Sequence, residues 1–141
     1  MPPARVYIVD EHQPIRTALA ERLSRAADLQ VIGHTGGWED VIDEVRSLNP
    51  DVVLVEIKRS DGMGLELIRE LAGLPGAPGL LVLTSYLSSW EEDAARRAGA
   101  ASYLLKDIDP EELIRRISEL AATRAYSEPS SNAEGPAEKS R

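Results

Sequence analysis

A doubly wound α/β fold, with one parallel sheet covered by helices on both faces, is the class this sequence predicts, and three observations predict it. Five short β-rich apolar runs alternate with five longer segments of helical period. The runs read as unbroken apolar stretches, the pattern of strands buried on both sides. Residues that start and stop helices fall between them.

In chain order, VYIV (6–9) is the first strand, and Pro14 suits the first turn of a helix whose face is Ile15, Ala18, Leu19 and Leu23. LQVIG (29–33) is the second strand, followed by a helix with Val41, Ile42, Val45 and Leu48 on one side. VVLV (52–55) is the third, with Leu65, Ile68 and Leu71 behind it. After LLVL (80–83), SSWEE offers a capping box of either Ser88 with Glu91 or Ser89 with Glu92. That helix is weaker, running from Trp90 through Ala94 to Ala98, with Gly99 as its stop. SYLL (102–105) is the fifth strand, and DPEE then places Asp109 at the N-cap, Pro110 at N1 and Glu112 at N3 of the clearest helix. Its face is Leu113, Ile114, Ile117, Leu120 and Ala121. Past about Thr123 the periodicity stops in RAYSEPSSNAEGPAEKSR, so residues 1–123 read as one domain and 124–141 as a disordered tail or linker.

Composition excludes several classes. With 141 residues and no internal period the chain suits one domain with a real core. No apolar run has the length to cross a bilayer and MPPARVYIVD lacks a secretory pattern, so a soluble, unexported, cytoplasmic protein is expected. The absence of cysteine removes disulfides and thiolate metal sites. A net charge of −8 argues against direct nucleic-acid binding by this chain, which needs clustered Lys and Arg.

Right-handed crossovers bring every strand's carboxyl end to one edge, where ligands of such folds bind at the switch in strand order. Four of the five runs end there in polar groups: Asp10 and Glu11, Glu56, Thr84 with Ser85, and Lys106 with Asp107. Strand ends meet solvent and are often polar for that reason alone, but these converge on one chemistry. Crowded carboxylates repel until one takes a proton or a cation sits between them. Asp10, Glu11 and a third acid are the hard oxygen donors Mg²⁺ prefers, while Lys106 and Thr84 suit the oxygens of a phosphoryl group.

VYIVDEHQPIRTAL, DVVLVEI, DGMGLELIREL, LVLTSY and GAASYLLKDIDPEELIRRI together closely resemble the receiver domain of bacterial two-component response regulators, in order and with family spacing, over residues 4–123. VDEHQPIR and YLLKD look most like the NarL/LuxR-type subgroup. The resemblance implies the flavodoxin-like, CheY-like (βα)5 fold with strand order 2-1-3-4-5. It also implies that Asp10 and Glu11 hold Mg²⁺ with the residue at 56 and the backbone carbonyl of Lys58, that Thr84 and Tyr103 are the switch pair, and that Lys106 binds the phosphoryl group. A sensor histidine kinase and an output domain are the implied partners, with a homodimer through the first and fifth helices or through the fourth helix, fifth strand and fifth helix.

The departure is at the acceptor, where the family's aspartate is replaced by Glu56. One added methylene moves the carboxylate by up to about 1.5 Å. Catalytic geometry tolerates roughly 0.5 Å, and an error of about 1 Å costs on the order of a hundredfold in rate. An atypical receiver is therefore expected, with Glu56 reaching Lys106 or the Thr84 hydroxyl as a partial phosphoryl mimic. The alternatives are a conventional Mg²⁺-dependent receiver of a DNA-binding regulator with an altered acceptor, and a pure interaction module with a vestigial acidic pocket. Ser60 stands where the family often has proline and is expected to loosen the loop after Glu56.

Enzyme readings fare worse. Haloacid dehalogenase chemistry wants a second aspartate two residues beyond the nucleophile, and Lys58 stands there; flavodoxin-type cofactor binding wants a phosphate cradle, and DEHQPIR is acidic and lacks glycine. No P-loop or G-x-S-x-G elbow occurs. His12 reads as an exposed loop residue, His34 has no visible partner, and Trp38 and Trp90 read as covers for core edges, with an interface role open to Trp90. The charged residues of EELIRRISEL read as a solvated helical face.

Overall fold

The computed structural model describes residues 2–133, with side chains as far as Arg124. Five strands, β1 (Ala4–Val9), β2 (Leu29–Thr35), β3 (Val52–Glu56), β4 (Gly79–Thr84) and β5 (Ser102–Leu105), alternate with five helices. The helices are α1 (Gln13–Ser24), α2 (Trp38–Leu48), α3 (Gly64–Ala72), α4 (Ser89–Ala98) and α5 (Pro110–Ala133). All four strand pairs are parallel, and the order is β2-β1-β3-β4-β5, as expected. Between β1 and β2 the register skips a residue, with Val6 opposite Val31 and Tyr7 opposite Gly33. β3 and β4 each run a residue further than the apolar run predicts, so Glu56 and Thr84 are the last residues of their strands.

The unbroken apolar runs resolve into two faces at the strand period of two. Val6, Ile8, Val52, Leu54, Leu81 and Leu83 point to the layer of α1 and α5, where they meet Leu23, Leu113 and Ile117. Tyr7, Val9, Val53, Val55 and Val82 point to the layer of α2, α3 and α4, against Val45, Leu67, Ile68 and Ala95. Tyr7 is fully buried with its hydroxyl directed to Glu44 at 2.5 Å; burial, reinforced by that carboxylate, pushes the phenol far above its usual value.

Several helix details differ from the sequence reading. α1 turns Arg16, Leu19, Ala20 and Leu23 inward, whereas Ile15 and Ala18 are exposed. Arg16 takes the inner position because its guanidinium donates to the Asp10 carbonyl at 2.7 Å and to His34 Nδ1 at 2.9 Å, which also gives His34 its partner. Trp90 does not cover a core edge; it is 70% exposed in the first turn of α4, while Ala94, Ala95 and Ala98 further along the helix are buried. Trp38 does pack against the core, with its indole N–H donating to Glu70 at 3.2 Å. Of the two capping boxes, only the N-cap half of Ser88 with Glu91 forms: the Ser88 hydroxyl accepts the Glu91 N–H at 3.2 Å, while the Ser88 N–H donates to the Tyr103 hydroxyl and not to the Glu91 carboxylate.

α4 stops at Gly99, whose φ of 124° favours glycine and whose position allows no Cβ, since one would sit 2.4 Å from Ala72 Cβ. α5 keeps its apolar face to Ala121, while its helical backbone runs on to Ala133, past the boundary expected near Thr123; extending a formed helix costs far less than starting one. The rest of the expected tail, 134–141, lies outside the described residues. Arg124 fastens α5 to the far edge of the sheet, donating to the carbonyls of Gly76 and Ala77 at 2.8 and 3.0 Å and pairing with Asp51 at 3.3 Å.

Candidate functional site

The carboxyl edge of the sheet gathers Asp10, Glu56, Thr84 and Lys106 where β1, β3, β4 and β5 end side by side. Asp10 and Glu56 are each 3% exposed and Thr84 is fully buried. Two carboxylates at that depth need a cation, and Lys106 supplies it. Its ammonium lies 2.7 Å from Asp10 Oδ2 and 2.8 Å from Glu56 Oε1. The Lys106 N–H donates to the Thr84 carbonyl at 2.9 Å, which anchors the lysine at the end of β5 beside β4.

Each acid is also held by the backbone of its own loop. The His12 N–H donates to Asp10 Oδ1 at 2.9 Å, with the exposed His12 ring 3.1 Å from the same oxygen. The Lys58 N–H donates to Glu56 Oε2 at 2.7 Å. Gly64 lets that loop close: a Cβ there would stand 2.1 Å from the Ile57 carbonyl oxygen. Burial works to raise the Asp10 pKa, but Lys106 and the His12 N–H outweigh it and hold the carboxyl below its usual range. Burial likewise works to lower Lys106, and its bonds to Asp10 and Glu56 outweigh that, so the ammonium is held above its usual value.

Not every expected residue joins. Glu11 is turned to the loop after β3, where Ser60 donates to it twice, from its N–H at 2.8 Å and its hydroxyl at 3.1 Å. Ser60 therefore ties that loop down where the sequence suggested loosening. Ser85 and Asp107 are exposed and take no part in the Lys106 cluster. The Thr84 hydroxyl does not reach Glu56; its acceptors are the Tyr86 carbonyl at 3.1 Å and Glu91 Oε1 at 3.0 Å. Tyr103, 6% exposed, donates its hydroxyl to the same Glu91 oxygen at 2.6 Å.

Glu91 is the residue that sequence reading missed, having been seen only as a cap partner. Lys58 donates to its other oxygen at 2.6 Å. The sequence did carry a sign: 91, 94, 95 and 98 form one helical stripe, so Glu91 is an acid in a row otherwise filled by buried alanines.

In this arrangement most of the oxygens that the family resemblance assigns to Mg²⁺ are engaged by protein donors. Among the described residues no three acidic or histidine side chains converge as a metal set. Asp10 and Glu11 spend their oxygens on protein donors. Glu56 Oε1 alone lacks a directed hydrogen bond, and the Lys106 ammonium already stands against it.

With this geometry in place, comparison with known proteins decides the family. The response regulator receiver domain family matches residues 6–118. The chain belongs to that family. A DNA-binding transcriptional activator of Mycobacterium tuberculosis, DevR/DosR, is 34% identical over 121 residues, covering 86% of this chain and 56% of its own. The nitrate/nitrite response regulator NarL of Escherichia coli K12 is 34% identical over 122 residues, covering 85% and 56%. The chain thus spans about half the length of these curated relatives. Among solved structures, a LuxR-family two-component response regulator from Aurantimonas sp. superposes with a TM-score of 0.79 at 27% identity, covering 86% of this chain and 87% of that one. A CheY-like receiver domain protein from Methanospirillum hungatei gives 0.78 at 22%, covering 88% and 98%, which shows the fold. The receiver domain of a NarL/LuxR-like two-component response regulator is a signalling module, and such domains typically bind Mg²⁺ at an acidic pocket. Among the described residues no helix is long and apolar enough to cross a membrane.

Proposed function

We propose that this receiver signals without a phosphorylation cycle, through a conformation biased by its own Glu56. The observation that carries this reading is the Lys106 ammonium placed 2.8 Å from Glu56 Oε1 and 2.7 Å from Asp10 Oδ2. On the family resemblance, residue 56 is the phosphoacceptor position and Lys106 the phosphoryl-binding lysine. An acceptor must present a free carboxylate oxygen in line with the incoming phosphorus. Glu56 is buried, is displaced by one methylene relative to aspartate, and has spent its charge on the lysine. A carboxylate carries about one negative charge where a phosphoryl group brings roughly −1.5 to −2, so the bias is a partial one.

Mg²⁺ fits this pocket poorly, because binding would have to displace Lys106 from Asp10 and Glu56 or release Glu11 from Ser60. The output of the bias is an effect on an attached output domain or a partner. By analogy with DevR/DosR, a DNA-binding output is the first candidate, with recognition of DNA lying outside this chain.

Incubation with acetyl phosphate and Mg²⁺ followed by intact-mass measurement tests the proposal. No phosphoryl adduct is expected on the wild-type chain, and Glu56→Asp, which shortens the side chain to the family's acceptor, is expected to gain one. A stoichiometric, hydroxylamine-sensitive adduct on the wild type would sink the proposal.

A further inference from the structure

Glu91 occupies a position where a carboxylate is costly unless every oxygen is satisfied. Its stripe neighbours Ala94, Ala95 and Ala98 are buried, and so is Glu91 itself. Both oxygens are used, and their donors come from three separate elements. Oε1 accepts the Tyr103 hydroxyl of β5 at 2.6 Å and the Thr84 hydroxyl at the end of β4 at 3.0 Å; Oε2 accepts the Lys58 ammonium of the loop after β3 at 2.6 Å. Burial works to raise the Glu91 pKa, but Lys58, Tyr103 and Thr84 outweigh it and hold the group below its usual value, so it is charged at neutral pH.

Two consequences follow from proton counting. Thr84 has one hydroxyl proton and two acceptors within reach, Glu91 and the Tyr86 carbonyl, and Glu56 is neither of them. Lys58 holds both buried acids at once, Glu56 through its backbone N–H at 2.7 Å and Glu91 through its ammonium. We infer that Glu91 is a positioning residue, an internal anionic latch that fixes Thr84 and Tyr103 in one arrangement, with Lys58 relaying to it any displacement of residue 56. This deepens the proposed function and rests on its reading of Thr84 and Tyr103 as the switch pair. The latch also sets the loop 85–88: the Ser88 N–H donates to the Tyr103 hydroxyl at 3.2 Å, and the Ser88 hydroxyl accepts from Glu91. What that loop and the start of α4 display to solvent is Tyr86, Leu87 and Trp90, each more than half exposed at 66, 57 and 70%.

The test compares amide hydrogen exchange over residues 85–91 and the Tyr103 phenol titration in the wild type, Glu91→Gln, Lys58→Met and the double variant, with Tyr103→Phe assigning the phenol. Glu91→Gln keeps the shape and removes the charge. It is expected to speed exchange at Ser88 by about tenfold or more, the effect of losing a charge-assisted hydrogen bond, and to bring the Tyr103 pKa down. Lys58→Met, at an exposed residue that leaves the core intact, is expected to act in the same direction and to add little once Glu91 is gone. Unchanged exchange and titration in Glu91→Gln, or strictly additive effects of the two substitutions, would overturn the latch; should Glu91→Gln not fold, an unchanged Lys58→Met would overturn it alone. Acetyl phosphate labelling of the wild type bears on Glu56 only, so the two readings fail separately.

Discussion

At the scale of single residues, the deciding effect is charge balance in a dry place. Lys106 is the shared counterion of Asp10 and Glu56, and removing one partner of a buried ionic cluster leaves an uncompensated charge. Lys106→Met should therefore destabilise the domain by about 3–5 kcal/mol at neutral pH, and adding Asp10→Asn should recover part of that loss. Urea denaturation of the three proteins measures both; a loss below about 1 kcal/mol, the range of exposed pairs, would mean the cluster is wetter than the burial of its acids indicates. The helical pairs of Arg115 with Glu112 and Glu119 make the contrast, being solvated residues of the outer face of α5 that the sequence already showed as such.

At the scale of elements, what was legible in the sequence followed from burial. Short β-branched runs such as VVLV, bounded by turn residues, fit a strand buried on both faces, and DPEE and Gly99 mark helix ends by local chemistry that the structure keeps. The candidate site was legible as a set of strand ends, which is why Asp10, Glu56, Thr84 and Lys106 were found together. Hydrogen-bond direction was not legible. Whether Glu11 faces a pocket or Ser60, and whether Thr84 faces Glu56 or Glu91, depends on side-chain rotamers and loop closure that no spacing encodes. α1 shows a related limit: Ile15 and Ala18 made an apolar face on paper, yet Arg16 won the inner side because two acceptors, the Asp10 carbonyl and His34, await it there. Glu91 was detectable in principle, since an acid in an alanine stripe conflicts with its surroundings, and such local conflicts are where function concentrates.

At the scale of the molecule, the same buried charges set the pH range over which the fold is stable. Asp10 and Glu91 have folded-state pKa values below their unfolded ones. Their contribution is present above the ordinary carboxylate value near about 4 and is lost as pH falls through the lowered values. Lys58 and Lys106 are raised, the first by Glu91 and the second by Asp10 and Glu56 outweighing its burial. Their contribution is present below the ordinary lysine value near about 10.4 and is lost as pH rises through the raised ones. Urea midpoints should form a plateau between about pH 5 and 9 with a fall on either side, and Glu91→Gln should make the acid fall shallower. An acid limb identical in the two proteins would show that Glu91 is not held as a charged group.

The receiver fold thus carries its site at one edge of the sheet, filled by its own side chains: one lysine between two acids, and a third acid holding Thr84, Tyr103 and Lys58. The most direct measurement is a high-resolution crystal structure from crystals grown with Mg²⁺. The predicted result is the Lys106 ammonium in contact with both Asp10 and Glu56 and no metal between them; a Mg²⁺ ion bound by Asp10 and Glu11, with Glu56 turned away from the lysine, would contradict the account.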